Sequence, residues 1–209
     1  MTPARGFTLI EVMVALVVMA IMSLMAWQGV SGIVRTREVS QEALERTLRL
    51  ETVVSQWEQD LAALQDRTGV PTLSCDGQSV RLVRRADAGL QVVAWSLRPA
   101  DGGGSTWQRW AGTPVQTTGA LQESWLRTQQ FQGGEEGQIR ALPGLEEWQV
   151  YFFRNNAWSN CQSTADSPGA VTTTGTTSSS LPTGVRVVLS FRPGSGVGGK
   201  LVRDTLLAP

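Results

Sequence analysis

The chain holds 209 residues, 41% of them hydrophobic and 17% charged, and its 18 basic and 18 acidic side chains cancel. It has no histidine and only two cysteines, so the usual general base and the commonest metal ligand are missing, a cysteine-rich zinc site is excluded, and no basic footprint for nucleic acid stands out. No Walker loop, GxSxG or HExxH string occurs; the composition speaks against an enzyme, and neither a metal nor another cofactor is expected.

The first element is an apolar run. From Gly6 to Val34 the only charge is Glu11, and about 20 helical residues at 1.5 Å each would cross a hydrocarbon core of roughly 30 Å. A carboxylate there costs about 2.5–3.5 kcal/mol on insertion scales. A secretory signal peptide is one reading, but its loose cleavage string, Val18-Met19-Ala20, lies inside the apolar run rather than after it. A plain membrane anchor explains the length and gives no reason for Gly6 or Glu11.

A third reading accounts for both residues. The string GFTLIEV, behind a short leader carrying Arg5, resembles the prepilin-type signature of type IV pilins and type II secretion pseudopilins. That resemblance implies that a prepilin peptidase cuts after Gly6 on the cytoplasmic side and methylates the new amine of Phe7. It also implies that Glu11 pairs with the N-terminal amine of a neighbouring subunit, each charge being costly in a low-dielectric bundle without the other. Arg5 precedes the span while Arg35 and Arg37 follow it, so the positive-inside rule is equivocal. An orientation with the N-terminus cytoplasmic and the remainder periplasmic rests on the motif.

Beyond the span the helix is expected to continue. Gly29 and Gly32 mark either a bend or close helix contact, or a flexible exit, each costing about 1 kcal/mol relative to Ala. Between Arg35 and Asp66 there is no Pro or Gly, and Leu50, Val54, Trp57, Leu61 and Leu64 recur at spacings of four and three, with Leu44 leading in. This stripe, flanked by Glu45, Arg46, Glu51, Glu58 and Asp60, is the expected packing face, and Thr68-Gly69-Val70-Pro71 is the expected stop.

From there the period becomes two. Ser79–Arg84, Leu90–Leu97, the TWQRW stretch, Glu147–Phe153 and Ala157-Trp158 read as strands, with Asn155-Asn156 as a turn. GVRVVLSF, the RPGSGVGG turn and KLVRDTLLA read as a closing hairpin. Thr113–Gly119 and Gln132–Gly137 look irregular, and Ser163–Ser180 is a low-complexity Ser/Thr/Gly tract too poor in apolar residues to order itself. Trp107 and Trp110 at a hairpin rim could meet carbohydrate or a partner; core packing is the plainer reading. The predicted class is α+β, a long N-terminal helix packed on an antiparallel sheet. Its predicted parts are a leader (1–6), a membrane helix (7–30), an amphipathic helix (31–67) and a β-rich domain (68–209).

In the orientation implied by the motif, Cys75 and Cys161 face an oxidising compartment, and a disulfide between them would constrain the unfolded chain by about 4–5 kcal/mol on the entropic model. Two free buried thiols are the alternative. The C-terminal part resembles the J-type minor pseudopilins of type II secretion, in Trp57-Glu58-Gln59-Asp60-Leu61 and in the endings Leu181–Leu189 and Leu201–Pro209. The resemblance implies a tip complex with I- and K-type minor pseudopilins above a filament of the major pseudopilin, anchored in the bacterial inner membrane. K-type subunits typically lack the glutamate. A minor pilin of a type IV pilus or DNA-uptake machine would share the same N-terminus, and a membrane-anchored enzyme is the remaining class.

Overall fold

A computed structural model describes residues 6, 8–67, 69–100, 103–131, 134–162 and 181–207. The Ser/Thr-rich tract, Phe7, Thr68 and the last two residues lie outside that set. The chain divides into two compact units, Met1–Arg46 and Thr47–Pro209, and helix α1 (Leu9–Ala62) contributes to both.

Within the first unit α1 is an uninterrupted helix. It contains an 18-residue window of mean hydropathy 2.5, none of it buried. Gly29 and Gly32 sit in regular helix with nothing within 4 Å of an added Cβ, so in the single chain they neither break the helix nor admit a neighbour. Past the apolar run the surface turns polar. The Thr36 hydroxyl donates to the Gly32 carbonyl at 2.9 Å, and Arg46 pairs with Glu42 at 3.0 Å, one turn back.

In the second unit the last turns of α1 bury Val53, Val54, Trp57, Asp60 and Leu61, and Leu50 packs at the rim of the same core. Leu44 is exposed. It stands six residues before Leu50, about 120° away around a 3.6-residue helix, so it does not lead into the packing stripe. The helix also ends earlier than expected, at Ala62. Leu64 has left it and bridges Arg84 in antiparallel fashion. Arg85 N–H donates to the Ala63 carbonyl and Gln65 N–H to the Val83 carbonyl. A free strand edge outcompetes two more turns of helix, because it needs partners for its own backbone groups.

Among the described residues eight antiparallel strands make one sheet: β1 (Leu73–Cys75), β2 (Ser79–Ala86), β3 (Gly89–Pro99), β4 (Ser105–Ala111), β5 (Gln138–Arg154), β6 (Ala157–Asn160), β7 (Gly184–Phe191) and β8 (Lys200–Leu206). The order is β1-β2-β3-β4-β5-β7-β8, with β6 paired to β5. Strand β5 is much longer than the expected Glu147–Phe153. Its first half pairs with β4, its second half with β7 and β6, so β4 and β6 occupy successive stretches of one edge. Asn155 and Asn156, at φ of 50° and 63°, supply the two left-handed residues that a tight hairpin requires.

Alternation along the strands gives the sheet two apolar faces. One receives α1: Trp57 lies 5.6, 5.4 and 6.4 Å from the rings of Trp95, Trp107 and Trp148, and all four are buried. The other face, built from Val83, Val92, Ala94 and Trp110, is covered by a second helix, α2 (Thr118–Gln129), through Leu121 and Trp125. The sequence reading missed this helix and assigned its first residues to an irregular stretch. The Thr117 hydroxyl accepts from Ala120 N–H at 3.4 Å as the N-cap, and Leu121, Trp125 and Thr128 recur at helical spacing. Gly119 near the start obscured the pattern. Trp107 and Trp110 are core residues on opposite faces, neither at a solvent rim.

Candidate functional site

The residues singled out at the N-terminus lie on the first unit. Gly6 is exposed, with open space around an added Cβ; Phe7, the other half of the predicted junction, lies outside the described residues. Two residues on, Thr8 starts the helix. Its N–H and hydroxyl both donate to Oε2 of Glu11, at 3.0 and 2.9 Å, and Glu11 N–H returns a long bond to the Thr8 hydroxyl at 3.4 Å. This is a capping box, a Thr and a Glu three residues apart that satisfy each other's orphan groups, and it was legible in the string TLIE. Glu11 is therefore anchored locally. Its other oxygen, Oε1, accepts nothing among the described residues. Around it Leu9, Ile10, Val12 and Met13 are all exposed, so the carboxylate sits on an apolar helix surface with Thr8 as its hydrogen-bond partner among the described residues.

A second carboxylate on α1 is in the opposite state. Asp60, expected on the polar flank, is fully buried. Oδ2 accepts from Trp95 Nε1 at 2.8 Å and Arg109 Nε at 2.7 Å; Oδ1 accepts from Arg109 Nη2 at 2.9 Å, from Gln56 Nε2 at 3.1 Å and from Arg84 Nη1. Arg84 on β2 and Arg109 on β4 keep only 21% and 13% of their side-chain surface exposed. A buried charge is tolerated when paired and fully hydrogen-bonded, and its loss is costly because the partners are then stranded. The signal was available. Asp60 stands three residues after Trp57 on the same helical face, and Arg84 and Arg109 occupy the inward positions of strands whose other inward residues are Val80, Leu82 and Trp107. An arginine at the core position of two neighbouring strands calls for a buried acid.

Cys75 and Cys161 are bonded, with Cα atoms 5.7 Å apart. Cys161 is buried and Cys75 half-buried, and both pack on the core that holds Leu50, Trp57, Leu61 and Leu64. The bond joins β1, one edge of the sheet, to the residue after β6. It can do so because the sheet curls around the end of α1. The β1–β2 turn beside it is held by Asp76. Burial pushes that carboxyl up, but the N–H and hydroxyl of Ser79, the charge of Arg81 and the N–H of Gln78 outweigh it and hold it below the usual carboxylate range.

Among the described residues of the second unit no His, Cys, Asp and Glu side chains gather as a metal site would need. A surface cleft of about 420 Å³ is lined by Gln65, Asp66, Arg85, Leu90 and Val115, and Asp66 already accepts from the Thr72 hydroxyl at 2.6 Å. The run from Gly194 to Gly199 spells GxGxxG, but it joins β7 to β8. A dinucleotide fingerprint needs a strand before it and a helix after.

Two comparisons with known proteins bear on this arrangement. Residues 1–27 match the family model described as the prokaryotic N-terminal methylation motif. The type II secretion system protein J of Vibrio cholerae serotype O1 is 28% identical over 175 residues, covering 74% of this chain and 72% of that one. The methylation motif on a capped, bare apolar helix and the likeness to a type II secretion J protein over most of the chain together support a J-type pseudopilin-like protein.

Proposed function

We propose that the chain is a minor pseudopilin of a type II secretion system, a structural subunit and not an enzyme. A single observation carries the reading: Glu11 is a lone carboxylate on an exposed apolar helix, five residues after Gly6, and among the described residues its Oε1 accepts no hydrogen bond. Cutting there leaves Thr8, and hence the capping box, intact. It also creates a cationic amine one residue before Thr8. The amine of one subunit and Oε1 of the next are then complementary charges in a medium where water cannot serve either, so the cost of each in isolation favours assembly and sets axial register.

In this reading the chain is a substrate of the prepilin peptidase. It crosses the inner membrane once, with the N-terminus cytoplasmic and the curled-sheet domain periplasmic. At the pseudopilus tip it joins I- and K-type minor pseudopilins above the major pseudopilin and primes the filament that pushes folded proteins through the outer-membrane secretin. It needs no cofactor and no nucleic acid. A type IV pilus subunit would share the N-terminus, and the likeness to a secretion J protein favours the secretion machine.

The test is N-terminal mass spectrometry of the membrane-extracted protein, with secretion and piliation measured in cells carrying Gly6→Leu as sole copy. A methylated Phe7 in the wild type, an uncut chain in the variant and lost secretion are the expected results. A mature end near Ala20, or an uncut wild-type chain, would overturn the reading; lost piliation with normal secretion would move it to the pilus machine.

A further inference from the structure

The sheet closes around α1 at a seam that strand pairing does not join. Among the described residues no ladder runs between β1 and β6. The β1–β2 turn is tied instead by two side-chain hydrogen bonds: Trp148 Nε1 to the Gly77 carbonyl and Gln162 Nε2 to the Asp76 carbonyl, each 3.2 Å. The third tie is the Cys75–Cys161 bond. Each side of the seam is firm in itself. Asp76 binds the turn together through Gln78, Ser79 and Arg81, and Cys161 N–H donates to the Val150 carbonyl of β5 at 3.0 Å. Among the described residues the neighbouring strands from β1 to β8 are joined by backbone ladders instead. Beneath the seam lies Trp148, whose ring is 6.4 Å from that of Trp57 and 5.8 Å from that of Trp107.

We propose that the Cys75–Cys161 bond is a redox-operated clasp on α1: oxidised, it holds the β1–β2 turn over the tryptophan cluster; reduced, this seam alone opens. An attacking thiolate meets the half-buried Cys75 sulfur, forms a mixed disulfide there and releases the Cys161 thiolate. A second thiol of the reductant then resolves the mixed disulfide, leaving two protein thiols and an oxidised reductant. Closing the clasp runs in reverse. A protein disulfide oxidant accepts both electrons and both protons, and because Cys161 is buried once the seam is shut, oxidation has to occur while the turn is still open. This inference concerns the second unit and stands or falls apart from the assembly reading.

Amide hydrogen exchange on the full chain in detergent, oxidised, treated with dithiothreitol, and as the Cys75→Ser/Cys161→Ser double variant, tests the clasp. Peptides covering 73–79 and 157–162 should exchange at least tenfold faster once the bond is gone, while those of β3, β4 and β7 stay unchanged. Reoxidation of the reduced wild type should restore the slow rates. Unchanged exchange at the seam, acceleration spread evenly over the whole unit, or failure to recover on reoxidation would each overturn the proposal.

Discussion

Helix α1 carries two carboxylates in apolar surroundings, and they are solved in opposite ways. Asp60, in the second unit, receives five hydrogen bonds from two arginines, a tryptophan and a glutamine of its own chain. Glu11, in the first unit, receives two from Thr8, and among the described residues its Oε1 accepts none. A charge completed internally fixes a helix on its own domain. A charge completed only in part has capacity left for a further donor. The same physics, the cost of an unpaired ion away from water, gives an anchor in one unit and, in the function proposed above, a docking point in the other.

Removing the anchor should have the largest effect. Asp60→Ala strands two guanidinium groups against the core and should cost about 3–5 kcal/mol. Denaturant unfolding of the detergent-solubilised full chain, followed by tryptophan fluorescence, reads this directly, since Trp95, Trp107 and Trp148 cluster around Trp57. A loss below about 1 kcal/mol would mean that the arginines find water and that the contrast with Glu11 is overstated.

Glu11→Ala should act with the opposite sign on the isolated chain. Deleting the charge eases insertion by about 2.5–3.5 kcal/mol and leaves the unfolding of the second unit within about 0.5 kcal/mol of wild type. Assembly should fall, read as secretion at matched membrane abundance with the variant as sole copy. Assembly equal to or better than wild type would reduce Glu11 to a tolerated defect.

Thr8→Ala separates the capping contact of that glutamate from its proposed role in assembly. Losing the cap should cost the first helical turn about 1 kcal/mol, seen as faster amide exchange at residues 10–13, with assembly retained because the carboxylate is still present. Assembly that collapses as far as in Glu11→Ala would show that Glu11 acts through the cap.

The smallest effect concerns acid. Asp76 is held below the ordinary carboxylate value of about 3.9 when folded. Its contribution is therefore present above that value and lost as the pH falls through the lower folded-state one. Exchange at residues 73–79 should rise as the pH drops from 6 to 3, after correction for intrinsic rates, and Asp76→Asn should flatten that rise. A profile identical in the variant would remove Asp76 from the account of the seam.

Much of the molecule was written locally. The apolar run, the Thr8–Glu11 box, the stripe through Val54, Trp57 and Leu61, the Asn155-Asn156 turn and the hairpin of β7 and β8 follow from neighbours within a few residues, because caps, turns and helical or strand periodicity are short-range devices. What depends on distant segments was decided by tertiary structure. Leu64 left its helix because the edge of β2 needed partners, and β5 grew to 17 residues because β4, β6 and β7 each found part of it. Asp60 moved from flank to core because Arg84 and Arg109, 24 and 49 residues away, were carried to the same face of a curled sheet. Burial of a charge is a property of the whole surrounding shell, and no single stretch of the chain contains that shell.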